Sequence, residues 1–501
     1  IMNDLASEPM TASPNSLGLD FNTPALQRKR RIRAFKDRLA RWCVSIGGLA
    51  VLGAITLIFF YLAYVVLPMF QGADLEKRDA VQPAWLANAG KPLLMTLEEQ
   101  NQVGMRLASD GKIQFFDAQS MEALTTIDLP LPAGTEVVSV GEDQPGSHRV
   151  ALGLSNGQAL VFEHAYRITY PDDVKTITPS IVYPFGEAPL TIDPQGRPLE
   201  HMGISVNSGT LLIAGSVGSE LQVLSLSREE NMMTGEVEVS EERLALPQIA
   251  EPIKELIIEP RQHWLFVING RATADVFDLR AKALNGRYKL LNDGAREVTH
   301  VTSLLGGISL LIGDSAGGIS QWFMVRDEDG KSDLKQVREF KMADSPVSQI
   351  IPEERRKGFI ALDEKGNLGI FHSTAHRTLL VEPVAEGHSI AALSPRANRV
   401  LVEANGKIER ILVDNPHPEI SWSSLWGKVW YENYDKPEYV WQSTSASTDA
   451  EPKLSLAPLA FGTLKAAFYA MLLAAPLAIA AAIYTAYFMA CLLYTSDAAD
   501  E

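Results

Sequence analysis

The chain has 501 residues and a formal net charge of −16, from 45 Lys and Arg against 61 Asp and Glu. That length exceeds one ordinary core, so at least two units are expected. The acidic balance lacks the electrostatic footprint of a nucleic-acid binder, and with only two cysteines, Cys43 and Cys491, no disulfide framework can hold the fold together.

The first predicted element is a basic N-terminal stretch, residues 1–41, followed by an apolar helix at 42–70. From Trp42 to Ala73 there is no Asp, Glu, Lys or Arg, and the run is longer than the roughly 20 residues a membrane-spanning helix needs. A signal peptide has a shorter apolar core and a small-residue cleavage site, which is missing here. Arg28, Lys29, Arg30, Arg31, Arg33, Lys36, Arg38 and Arg41 precede the run, and the mixed stretch "ADLEKRDA" follows it. Positive charge stays on the cytoplasmic side, so the N-terminus is expected inside and the following region outside. In isolation "QRKRRIRAFKDR" could be a nucleic-acid patch; beside a spanning helix it reads as topogenic and lipid-facing.

Residues 71–415 form the second predicted unit, which is all-β. One pattern recurs: an apolar run, a Gly turn usually led by Asn or Asp, and a second apolar strand, as in "RLASDGKIQFFD", "ALGLSNGQALVFE" and "VLVEANGKIERILVD". Such turns supply the positive φ of a tight hairpin. The turn glycines Gly111, Gly157, Gly218, Gly270, Gly317, Gly366 and Gly406 recur at intervals of about 40 to 60 residues, near the period of propeller blades. The expectation is a β-propeller-like domain of about seven blades. The uneven spacing and the lack of a Trp-Asp blade signature leave two stacked β domains as the alternative. Propellers hold loops on a rigid frame, so the expected use is a binding surface.

Little in this region points to chemistry. His372 and His376 in "HSTAH" have the interval of a helical zinc pair, but the Glu of that motif is missing and the setting is a strand end. Asp327 to Asp333, "DEDGKSD", resembles a calcium loop, yet its Gly is misplaced and Lys331 stands at a ligand position, so a solvated hairpin tip is expected. "GDSAGG" lacks the Gly-Lys-Ser/Thr of a phosphate-binding loop. A propeller dehydrogenase would need a quinone and metal site, and no such constellation is visible. No catalytic, metal-binding or cofactor-binding residue is assigned.

Residues 416–455 are an aromatic segment and linker. Trp422, Trp426 and Trp430 fall on one helical face if the segment is helical, and Tyr431, Tyr434, Tyr439 and Trp441 lie nearby. These rings either pack on the propeller or sit at a membrane interface, where amphipathic aromatics concentrate. The polar linker "QSTSASTDAEPK" follows.

Residues 456–490 are predicted as a second spanning helix whose only charge, Lys465, lies near its start and can snorkel outward. Pro476 in mid-span and the many Ala and Gly residues favour close contact with other helices. The run "LAPLAFGTLKAAFYAMLLAAPLAIAAAIYTAYFM", with its P-L-x-x-G-T-L-K, A-x-P-L-A-I and I-Y-x-x-x-F-M elements, resembles the start of the permease core of phosphate ABC importers, PstC type. "LQRKRRIRAFKDRLARW" and the helix after it resemble the long variant of that subunit.

The resemblance implies an α-helical permease (MetI-like) domain beginning here, in an inner-membrane, multi-pass subunit with residues 72–455 periplasmic. Its partners would be a second permease subunit, cytoplasmic ATPase subunits and a periplasmic phosphate-binding protein; ATP hydrolysis would belong to the ATPase, and no cofactor is implied. Substrate and coupling residues would lie in helices after residue 490, so none is carried over. The alternative is a membrane-anchored propeller that scaffolds envelope assembly. Residues 491–501, "CLLYTSDAADE", resemble translated sequencing adapter, so the chain is expected to be an N-terminal fragment of a gene cut at Ala490; at the other end Met2 rather than Ile1 is the expected initiator.

Overall fold

In the computed structural model, residues 24–230, 237–292, 294–444 and 450–489 are described; the adapter-like residues 491–501 lie outside them. The chain divides into two units, Ile1–Met69 and Phe70–Glu501. The first contains helix α1, Pro24–Val66, continued by a 3-10 turn at Leu67–Phe70. Pro24 occupies a first-turn position, where its missing N–H costs nothing. The helix begins well before the apolar run because the Arg- and Lys-rich stretch is itself a good helix former. Arg31–Phe70 is long and apolar enough to cross a membrane.

The second unit is a seven-bladed β-propeller. It is built from seven antiparallel sheets, six of four strands and one, blade 2, of five. Blade 1 spans Pro92–Leu97 to Ala123–Asp128, and blade 2 has Val137–Glu142 as its first strand and Gln158–Thr169 as its third. Blade 3 spans His201–Asn207 to Val237–Leu244, blade 4 Ile253–Ile258 to Ala283–Lys289, and blade 5 Val298–Ser303 to Ser332–Lys341. Blade 6 runs from Val347–Pro352 to Arg377–Pro383. Blade 7 takes His388–Leu393, Arg399–Ala404 and Lys407–Asp414 from one end of the domain and Asp74–Lys77 from the other, with Leu75 opposite Val413.

The core is distributed between the blades. Successive residues on a strand point to opposite faces, and here both faces are covered: Leu211 and Ile213 pack toward blade 2, while Leu212 and Ala214 pack toward blade 4. Seven apolar layers result, one between each pair of neighbouring blades. The layer holding Met95, Leu97 and Phe116 of blade 1 against Ile390, Leu401 and Ile408 of blade 7 closes the ring. That closed ring excludes the two-domain alternative.

In the first strand of six blades the register shifts between the first and third residues, for example between Ile253 and Glu255, Val298 and His300, and Val347 and Gln349. Such bulges turn the strand and aim side chains inward. Glu255, His300 and Gln349 occupy the same structural position in three successive blades. At Gly141 a Cβ would sit 2.6 Å from the Met202 carbonyl, so this glycine permits the inner strands of blades 2 and 3 to approach.

Beyond the ring come the five-residue helix α2, Trp422–Trp426, a two-strand ladder pairing Trp441–Gln442 with Lys453–Leu454, and helix α3, Ala457–Tyr484, with Pro476 inside it. Ala457–Tyr487 is the second segment long and apolar enough to cross a membrane.

Candidate functional site

The entry and exit of the propeller meet at Arg377, the first residue of the fourth strand of blade 6. Its Nη2 donates to the carbonyls of Phe70 (2.8 Å) and Gln71 (2.6 Å), and its Nη1 to that of Ile420 (2.8 Å). The Trp422 indole stacks on the Phe70 ring with centroids 5.2 Å apart. Ser421 starts α2 with a capping box: its Oγ accepts from the Ser424 N–H at 3.0 Å, and the Ser424 Oγ accepts from the Ser421 N–H at 3.0 Å. Such reciprocal bonds satisfy two N–H groups that a helix start leaves free. The Leu456 N–H then donates to the Leu425 carbonyl at 2.7 Å, so α3 starts against α2.

Between these points residues 427–444 and 450–454 form a strap across blades 5 and 6. Tyr431 is fully buried. The Lys357 ammonium contacts the Glu432 carboxylate at 2.5 Å, both side chains being buried. Ser309 donates to the other Glu432 oxygen, also at 2.5 Å, and Lys357 donates to the Leu305 carbonyl at 2.6 Å. Arg338 donates to the Trp430 carbonyl at 2.6 Å and to Gln321 Oε1 at 3.0 Å. Burial, the nearby Glu432 and loss of water hold the Glu451 carboxyl above its usual range, desolvation being the larger cause; the Thr374 hydroxyl donates to it.

The aromatic segment therefore has two fates. Trp430 lies outside α2, donates its Nε1 to the Tyr434 carbonyl at 2.8 Å and meets Phe323 edge-on. The expected single helical face of three tryptophans is not formed, because Gly427 ends the helix and Tyr431 is drawn into the propeller. Trp422, Trp426, Tyr439 and Trp441 remain exposed.

A third feature is the lumen. A cavity of about 310 Å³ is lined by the first strands of all seven blades. Glu142 is exposed toward this space from blade 2; desolvation by the surrounding cavity walls and then the nearby Glu354 raise its carboxyl to about 7. Burial raises Glu255 to about 7 as well, and burial lowers His300 to about 4. His164 is lowered to about 3, by burial and then by His148, on which it stacks at 4.6 Å. His148 Nε2 lies 3.8 Å from the Glu354 carboxylate. Arg149, the lining cation, is held by Asp143 and Glu163 at 3.4 and 3.3 Å.

No family model matches this sequence, and no curated protein is significantly similar to it. Among solved structures, the chain is similar to the β-propeller domain of Myceliophteria thermophila Cps50 (Swd1), with 11% identity and a TM-score of 0.45, covering 68% of this chain and 100% of that one. It is also similar to Chaetomium thermophilum Raptor, with 16% identity and a TM-score of 0.45, covering 66% of this chain and 28% of that one. Likenesses this distant carry no functional argument; the fold assignment rests on the seven blades.

The residues weighed in the sequence fall as follows. His372 is buried and its Nδ1 accepts from the Ala375 N–H at 3.2 Å, while His376 Nε2 lies 2.9 Å from the Glu339 carbonyl. Asp327 and Lys331 close the hairpin tip of blade 5, Asp327 Oδ1 accepting from the Lys331 N–H at 2.7 Å. "GDSAGG" is the turn between the second and third strands of that blade. Among the described residues, no three His, Cys, Asp or Glu side chains are grouped to hold a metal. Sequence reasoning missed Arg377, Lys357 and the lumen carboxylates; only Glu255 carried a signal, as an acid beside Lys254 inside the short strand "IKELII".

Proposed function

We propose that this chain is a membrane-held β-propeller that presents its loops as a binding scaffold, with Arg31–Phe70 and Ala457–Tyr487 as its anchors. The observation that carries this reading is the seam at Arg377. The chain segments leading from the first apolar stretch and toward the second are tied to one corner of blade 6. A domain with its two tethers so close together can stand on a bilayer without being pulled apart. The exposed Trp422, Trp426, Trp441 and Tyr439 beside the start of α3 supply rings suited to the headgroup level. The Lys and Arg residues before the first stretch support an inside N-terminus and a propeller outside the cytoplasm.

The test is expression of the full chain in a bacterial inner membrane, followed by alkaline carbonate extraction and protease treatment of spheroplasts. The reading expects the chain to stay in the pellet and the propeller to be reached from outside. Release into the carbonate supernatant, or protection of the propeller until the cytoplasm is opened, would sink it.

A second reading makes the same chain the front of a permease subunit of a binding-protein-dependent importer, for phosphate by the resemblance of its second apolar run. It is favoured by α3 itself: a helix rich in Ala, interrupted by Pro476 and with no residue buried is built for packing against further helices. The partners would then be a second permease subunit, cytoplasmic ATPase subunits and a periplasmic phosphate-binding protein. Reading the gene across the codon for Ala490 tests it. Several more apolar spans in frame support the permease, and their absence removes it in favour of the scaffold alone.

A further inference from the structure

The lumen presents hydrogen-bond acceptors with no cation assigned to them. Among the described residues the Glu142 carboxylate has no hydrogen-bond or ion-pair partner, and the Glu255 carboxylate accepts only from the adjoining Leu256 N–H, at 3.3 Å. His164, 4% exposed, and His300 line the same cavity, and the Nδ1 of each is without a partner. Arg149 is already engaged by Asp143 and Glu163, and Gln349 spends both ends of its amide on Ala391.

Leaving a buried acceptor such as the His164 Nδ1 unmatched costs free energy, and carboxylates that face a protein-lined cavity with no cation assigned to them draw positive charge into it. Such a cavity is satisfied by a guest that brings positive charge and several N–H donors. Neutral imidazoles add acceptor nitrogens of the kind that such donors need, and burial keeps both rings neutral near pH 7. The volume of about 310 Å³ falls at the lower end of ligand clefts, roughly 300–1,000 Å³. It suits a small molecule better than a folded partner.

We propose that the propeller lumen is a binding site for a small organic cation, an amine or guanidinium compound held by Glu142 and Glu255 with His164 and His300 accepting from its N–H groups. The site is independent of how the chain is anchored, so it stands or falls apart from the scaffold reading.

The test uses the full chain in detergent micelles and isothermal titration with agmatine, which carries a guanidinium and an ammonium group. Spermidine serves as a second cation and inorganic phosphate as the opposite charge. Saturable binding of agmatine, weakened at least tenfold in the Glu142→Gln and Glu255→Gln variants but not in the surface variant Glu76→Gln, is the expected result. Circular dichroism of each variant checks that the propeller is intact; if Glu142→Gln does not fold, Glu255→Gln alone decides. No heat with either cation up to 10 mM ligand, on the order of the weakest affinities worth assigning, would overturn the proposal. So would unchanged agmatine binding in the folded variants, or saturable binding of phosphate in place of the cations.

Discussion

The Trp422 indole lies on the Phe70 ring at 5.2 Å and 22°, so the residue that leads into the propeller and the residue that starts its departure form one stacked pair. Arg377 holds the backbone on both sides of that pair.

Replacing Arg377 by Met keeps most of the apolar stem and removes every donor. Three short carbonyl contacts are lost, and charge-assisted bonds contribute about 1.5–3 kcal/mol each, less than additively. The expected loss of stability is about 2–4 kcal/mol. Chemical denaturation followed by far-ultraviolet dichroism measures it, and limited proteolysis should cut first between His417 and Gly427.

The exposed tryptophans give a depth measurement. With the other tryptophans replaced by Phe, a chain retaining Trp422 or Trp426 and reconstituted in vesicles should be quenched by nitroxide near the lipid headgroup and much less by nitroxide deep in the acyl chains. A chain that resists carbonate extraction but shows no quenching at either depth would keep the anchors and discard the interfacial role of these rings.

Arg106 of blade 1 and Glu403 of blade 7 form a buried two-point pair at 2.7 and 3.0 Å across the ring closure. Arg106→Met leaves a buried carboxylate with no cation and should cost about 3–5 kcal/mol. The double variant Arg106→Met with Glu403→Leu should recover most of that loss, since burying two charges carried its own penalty. A double-mutant cycle in urea reads the coupling; equal destabilisation by the single and double changes would refute it.

The lumen carboxyls predict a pH signature. Glu142 and Glu255 hold their protons up to about pH 7 in the folded chain, against an ordinary value of 4.5. Between those values the folded state binds more protons than the unfolded one, so their contribution to stability falls as pH rises from 4.5 through 7. His164, His300 and His372 act in the opposite sense. With folded values of about 3, 4 and 3 against an ordinary 6.5, they cost stability as pH falls below 6.5. Comparing Glu142→Gln, Glu255→Gln with the parent cancels the histidines. The variant's gain in thermal midpoint should be larger at pH 8 than at pH 4.5; a gain independent of pH would show that the carboxyls ionise freely.

The blade count was legible because each turn glycine closes the middle hairpin of one blade. Gly111, Gly157, Gly218, Gly317, Gly366 and Gly406 all have positive φ, as a tight turn between two buried strands demands; at Gly270 the neighbouring Ala272 takes that conformation instead. Those two strands are covered on both faces and read as apolar runs such as "LFVI" and "LLIAG". The fourth strands were harder to see, since their outer faces are polar and their order in the ladder depends on distant partners. Blade 2 stretched the spacing because its long third strand pairs with both Thr176–Val182 and Leu190–Thr191. The seam escaped for a different reason. Arg377, Phe70 and Ile420 are remote in sequence, and a guanidinium that meets backbone carbonyls leaves no pattern of side-chain types to read.

The strand Asp74–Lys77 has a consequence for the order of events during synthesis. It is translated before any blade, yet its partner Lys407–Asp414 emerges only after about 340 further residues. For that whole interval one sheet edge waits unpaired at the head of the domain, and an unpaired edge invites the wrong neighbour. Four residues, three of them charged and exposed, two acidic and one basic, make a poor template for a stranger. A short, charged strand is thus what a ring that can shut only once its last blade has been made requires of its first piece.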